Sequence, residues 1–164
     1  MCIRDSYLTA ALEHYTAIFA EFALEARPQV LDGMPADFKE LIRWHAMEEM
    51  EHKAVAYEVL NASGNNILRR YFGMGVAISL LFSNAIVIGG VLMRNDKELT
   101  LSRLVQDGIK ALPEVAATLA FIAAGTIDYL RPDFHPDDTD HRAILERVRR
   151  ESNDFKAWQS AQSA

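Results

Sequence analysis

Apolar residues in the first part of the chain fall at helical steps. Leu8, Leu12, Tyr15, Phe19 and Phe22 recur every three or four positions and make one stripe on a helix predicted over about Tyr7–Arg27. Pro28 stops that helix, and 28–34, with Pro28 and Gly33, reads as a short loop. A second helix is predicted from about Pro35 to Ala62. Pro35 suits its first turn, Asp37 and Glu40 suit the positive end of its dipole, and Ser63-Gly64-Asn65-Asn66 ends it. A loop this short makes the two helices antiparallel neighbours. The next stretch, Tyr71–Met93, carries no formal charge and is interrupted only by Ser79, Ser83, Asn84 and glycines, with Arg69, Arg70 and Arg94 at its ends. It is long enough to cross a bilayer, or it is the central helix of a bundle; Asn84 near its middle favours burial in protein. A short amphipathic helix is predicted over about Glu98–Leu112. Pro113 then opens a further apolar helix to about Leu130, which could pair with Tyr71–Met93 as a membrane hairpin. Arg131–Pro136 is a turn with two prolines, and Asp138 or Thr139 caps a last, polar helix through about Trp158.

No stretch shows useful strand alternation, so the fold class is all-α, a helical bundle. The 164 residues are enough for one domain with a real core. A net charge of −6 with no basic stripe argues against a nucleic-acid partner. Cys2 is the sole cysteine, which excludes a disulfide framework and suits a cytoplasmic setting. Residues 1–6, Met-Cys-Ile-Arg-Asp-Ser, lack the pattern of a signal peptide. They resemble a translated sequencing-adapter remnant and read as a leader foreign to a domain over 7–136, with a polar helix over 137–164.

The chemistry concentrates in Trp44-His45-Ala46-Met47-Glu48-Glu49-Met50-Glu51-His52-Lys53. On a helix His45, Glu49 and His52 share a face, with Glu48 at its edge. Imidazoles and carboxylates converging in this way can bind a divalent transition metal. Bundles that hold two metals draw a Glu from each of two helices and a Glu-x-x-His from each of the other two. Glu13 lies inside the apolar run of the first helix, where a carboxylate is costly unless something cationic meets it. Across the hairpin it could meet Glu49 and His52. The plainer reading of Glu13 is a surface carboxylate, and that of Glu48–Lys53 a solvated face with local ion pairs, Glu51 pointing to solvent. Asp138 and His141 imitate ligand spacing in what reads as a polar turn, and His135 reads as structural.

Ala11-Leu12-Glu13-His14-Tyr15-Thr16-Ala17, the Trp44–Lys53 stretch and Tyr129-Leu130-Arg131-Pro132-Asp133-Phe134-His135-Pro136 together resemble a bacterial family of predicted metal-dependent hydrolases, over about Tyr7–Pro136. The resemblance implies a ferritin-like bundle with a two-metal carboxylate site. Glu13 would be the single carboxylate of one helix, and Glu49 with His52 the Glu-x-x-His of the next. His14, His45 and Glu48 would be further ligands or groups that orient them. The family's upstream Pro-x-Gly-Glu and Gln-Glu-x-x-His motifs do not occur here, so half of the expected ligand set is present.

The resulting expectation is a hydrolase acting on a small molecule through divalent transition metals (Fe, Mn or Zn, two ions in a full site), with Glu48 moving the proton. The same ligands suit two irons activating dioxygen, which would make it an oxidoreductase. On a non-catalytic reading, Tyr71–Met93 attaches the protein to the inner membrane. With half a site, the chain alone is expected to be weakly active or inactive, unless a homodimer supplies a second Glu13, Glu49 and His52.

Overall fold

The computed structural model describes residues 3–162, and among them there are helices and turns and no strand. Helix α1 runs over Ile3–Glu21 and ends in a single π-helical turn, Phe22–Ala26, before Pro28. A 3₁₀ turn at Pro28–Leu31 leads to α2, Ala36–His52, which lies against α1. After a break at Lys53–Ala54 come α3, Val55–Ala62, α4, Ile67–Asn95, and α5, Leu101–Tyr129. A turn containing a 3₁₀ segment, Pro136–Asp138, then precedes α6, Arg142–Gln162.

α1 is the centre of the bundle: α2, α3, α4 and α5 all pack on it. That explains why one stripe does not describe it. Tyr7, Ala10, Ala11, Tyr15, Ala17 and Ile18 are buried, while Leu8 and Leu12 are half-buried and Phe19 is exposed. The small residues let neighbours come close on sides the periodic stripe does not include. The closest approach is at Gly73 of α4, where an added Cβ would stand 2.7 Å from the Tyr7 carbonyl oxygen. Tyr7 also ties the α3–α4 turn: its hydroxyl donates to the Gly64 carbonyl at 3.2 Å and accepts from the Asn66 amide at 2.9 Å. Gly64 turns the chain there with a positive φ of 88°, and the Asn66 side chain caps α4. One core cluster joins α1, α3, α4 and the Tyr129–Phe134 segment; a second joins the end of α1 to α2 and α6 through Leu24, Leu31, Met47, Met50 and Val148.

Three sequence expectations are corrected. The helix expected over Pro35–Ala62 is two helices, because Lys53 turns inward at the break to bond the Thr139 carbonyl. Pro113 does not open a helix: α5 passes through it. That stretch is exposed, so water can take the Ile109 carbonyl that proline leaves without a helical donor. Neither Asp138 nor Thr139 caps α6; the Asp140 carboxylate accepts from the Arg142 amide at 3.0 Å, while Asp138 accepts from the His135 amide. Residues 3–6 are helical, continuous with α1. Cys2 lies outside the described residues.

α4 and α5 are each long and apolar enough to cross a membrane. Only the first half of α4 is packed: Gly73, Met74 and Ala77 are buried, and from Phe82 the helix is exposed almost all round. α5 is exposed from Leu101 to Ala116, with Arg103, Asp107, Lys110 and Glu114 in one stripe at helical spacing and apolar residues opposite.

Gly73→Ala should destabilise the fold by about 1–3 kcal/mol, since backbone must shift to admit the methyl. Gly75→Ala, whose Cβ would meet open space, should instead stabilise by about 0.5–1 kcal/mol through helix propensity. Urea unfolding of the two variants measures the contrast.

Candidate metal centre

The short connection between α1 and α2 brings Glu13 to the Glu49/His52 end of α2. The Glu13 carboxyl is held above its ordinary range, first by burial, then by the Glu49 carboxylate, with His52 acting in the opposite sense. Glu13 and His52 line one open cleft of about 430 Å³ with Ser6, Thr9, Val55, Ala56 and Val59, a size that admits a small organic molecule. His45 stands one helical turn before Glu49, its Nε2 3.5 Å from Glu49 Oε1, and its side chain is 62% exposed. Glu48 is half-exposed beside it. Five of the residues that make the sequence pattern thus lie along one side of the hairpin.

The donor types suit a divalent transition metal. Within one chain the set does not close: among the described residues no three His, Cys, Asp or Glu side chains come together so as to hold an ion.

His14, adjacent to Glu13 in sequence, points to a different side of α1. Its ring sits 4.9 Å from the Tyr129 ring and edge-on to Phe134, and its Nε2 donates to the Gly125 carbonyl at 2.8 Å. Burial is the largest influence on it and lowers its pKa, which favours neutral imidazole. Consecutive helical residues diverge by about 100°, so His14 and Glu13 cannot both face the cleft.

His14 instead borders a small cavity that it shares with Glu21 and Lys53, which the sequence did not single out, and with His141. His141, expected in a polar turn, is 7% exposed. Its Nε2 lies 3.3 Å from the Glu21 carboxylate and its Nδ1 3.4 Å from Lys53 Nζ, a pattern that places the proton on Nε2. The Glu21 carboxyl is held below its ordinary range, chiefly by the His141 hydrogen bond. The Lys53 ammonium is lowered, mainly by burial. These residues pin the late turn to α1 and to the α2–α3 break. No sequence signal connects positions so far apart.

His135 belongs to the same turn. Its Nε2 bonds Glu58 at 2.8 Å and its Nδ1 accepts from the Asp137 amide, so its role is structural. Glu51 is exposed, as expected, and there pairs with Arg149 of α6 at 2.5 Å.

A family model described as predicted metal-dependent hydrolase matches residues 3–140. No curated protein and no solved structure matches the chain.

The two carboxyls predict opposite responses to pH in metal-free protein. Glu13, with its folded pKa raised, weakens the fold progressively as pH rises through that pKa; Glu13→Gln should raise Tm near neutrality and leave it unchanged at about pH 3, where carboxyls are protonated. Glu21, with its folded pKa depressed, contributes stability above the ordinary carboxylate range that is lost as pH falls through its folded pKa. Glu21→Gln should therefore lower Tm near neutrality, by less as the medium is acidified. Calorimetry across that range reads both.

Proposed function

The chain belongs to the predicted metal-dependent hydrolase family, and from that premise we propose that the Glu13–Glu49–His52 side of the α1/α2 hairpin is its metal-holding, hydrolytic element. The observation that carries the reading is that Glu13 of α1 and His52 of α2 line one open cleft, with Glu49 close enough to act on the Glu13 carboxyl. A carboxyl kept above its ordinary range by burial, and further by a second carboxylate, is relieved when a cation comes between the two. Glu13, Glu49 and His52 would hold the metal, and His45 would hold or orient Glu49. They amount to half of the ligand set of a two-metal bundle, one Glu and one Glu-x-x-His, for iron, manganese or zinc. His14 has no part in this, its Nε2 being committed to Gly125.

A bound divalent ion supplies a water of lowered pKa and polarises a substrate oxygen. The chain's own residues do the rest. Ser6, Thr9 and Ala56 border the part of the cleft left to the substrate, and Glu48 is the group we assign to take the proton from the attacking water. The substrate is a small molecule with a hydrolysable bond. Because the donors do not close among the described residues of one chain, a monomer should turn over weakly.

Ester hydrolysis with and without chelator, on the protein and its variants, tests this. Glu49→Gln and His52→Ala should abolish metal uptake, whereas Glu48→Gln should retain the metal and lower kcat by about 10²–10⁴-fold. Hydrolysis indifferent to chelation and to both ligand variants would defeat the reading. Oxygen consumption in its place would turn the site into that of a di-iron oxidoreductase.

A second reading rests on the exposed apolar surface of α4 and α5: attachment of the protein to a membrane surface on the cytoplasmic side. From Phe82 to Asn95, the free part of α4 is about 21 Å long at 1.5 Å per residue, short of the roughly 30 Å hydrocarbon core. The charged stripe of α5 suits a helix lying in the interface. Co-flotation with liposomes should be lost in a Leu92→Glu/Ile109→Glu variant, and recovery of the wild type in the lipid-free fraction would refute attachment.

A further inference from the structure

The outer face of α2 continues into α3. Lys53 and Ala54 at the break keep right-handed helical backbone angles, and His52, Val55 and Val59 border the same cleft. Along that face Phe38 and Leu41 lie at one end and Val55 and Val59 at the other, exposed by 49%, 53%, 59% and 44%. Between them stand His45, Glu48 and His52. The steps from Phe38 to Val59 alternate three and four residues without exception, which is the spacing of a helix seam that packs on another helix. Among the described residues no element covers the four apolar members.

The seam reads the same in both directions: apolar, apolar, His, Glu, His, apolar, apolar. Its centre is at Glu48 and Glu49. A two-fold contact requires that kind of self-complementarity, because the same patch must serve both partners. With the copies antiparallel, Phe38 comes opposite Val59, Leu41 opposite Val55, and His45 opposite His52. Lipid does not fit, since the middle of the seam is ionisable.

We infer that α2–α3 is the two-fold interface of a homodimer, in which His45 of one copy joins His52 of the other beside Glu48 and Glu49. Two equivalent sets of imidazole and carboxylate donors then exist where the described residues of one chain assemble none. The central carboxylates of the two copies repel each other unless a cation lies between them, so dimerisation is metal-linked. This cation site rests on the hydrolase reading above; the apolar ends of the contact stand without it.

Sedimentation of the full chain with zinc and with chelator is the test. Zinc should shift monomer to dimer, and Leu41→Glu, at an exposed position, should retain the helical circular dichroism while weakening dimerisation by about tenfold or more. In a Cys2→Ser background, Leu41→Cys/Val55→Cys should cross-link between chains on oxidation. A monomer that persists with zinc, a dimer indifferent to Leu41→Glu, or the absence of that cross-link overturns the interface. A monomer that binds zinc and hydrolyses ester overturns it while leaving the hydrolase reading intact. A cross-linking dimer that takes up no zinc supports the contact and removes the cation site.

Discussion

A guanidinium without water around it holds the bundle together. Arg70 is 1% exposed and cannot shed its charge, yet its partners are neutral. Nη1 donates to the Tyr57 hydroxyl at 2.7 Å, Nη2 donates to the Arg131 carbonyl, and the group lies 5.5 Å over the Tyr129 ring. Tyr57 passes the connection on by donating to the Phe134 carbonyl at 2.6 Å. One side chain thus binds α4 to α3, to the end of α5 and to the turn that follows. Arg70 Nε and the Tyr129 hydroxyl have no partner among the described residues. Unpaired buried groups of this kind cost about 1–3 kcal/mol each, so the arrangement is kept for what it positions.

What it positions is the frame around α1. Tyr129 and Phe134, held by this network, form the wall on which His14 rests. The turn continues to Thr139 and His141, which receive Lys53. Lys53 is the residue after His52, so the anchor reaches the break between α2 and α3 and fixes where the outer seam bends. The polar interior on one side of α1 and the open cleft on the other are therefore mechanically connected, although Glu13 and His14 face apart.

Two kinds of unsatisfied surface remain. Along α2–α3 the apolar ends bracket ionisable residues, a pattern suited to a protein surface of the same kind. Along the far halves of α4 and α5 the apolar surface is continuous and carries charge only in one stripe, a pattern suited to a less specific apolar environment. Charge placement separates them more sharply than hydrophobicity does, since burying an unpaired carboxylate or imidazolium costs more than exposing a leucine.

The all-α class, the α1/α2 hairpin and the meeting of Glu13 and His52 on one cleft were legible in the chain, because helical periodicity and a short connection fix which residues share a side. So was the structural nature of His135, from the prolines around it. The seclusion of His14, the burial of His141 and its pairing with Glu21, and the break at Lys53 were not legible. Each depends on a partner far away in the chain, Gly125, Lys53 or Thr139, that no local spacing reveals. Pro113 misled for a related reason: proline's cost to a helix is local, but whether water can reach the carbonyl it leaves free is decided by burial. Residue spacing determined which groups could meet, and packing around α1 determined which of them do.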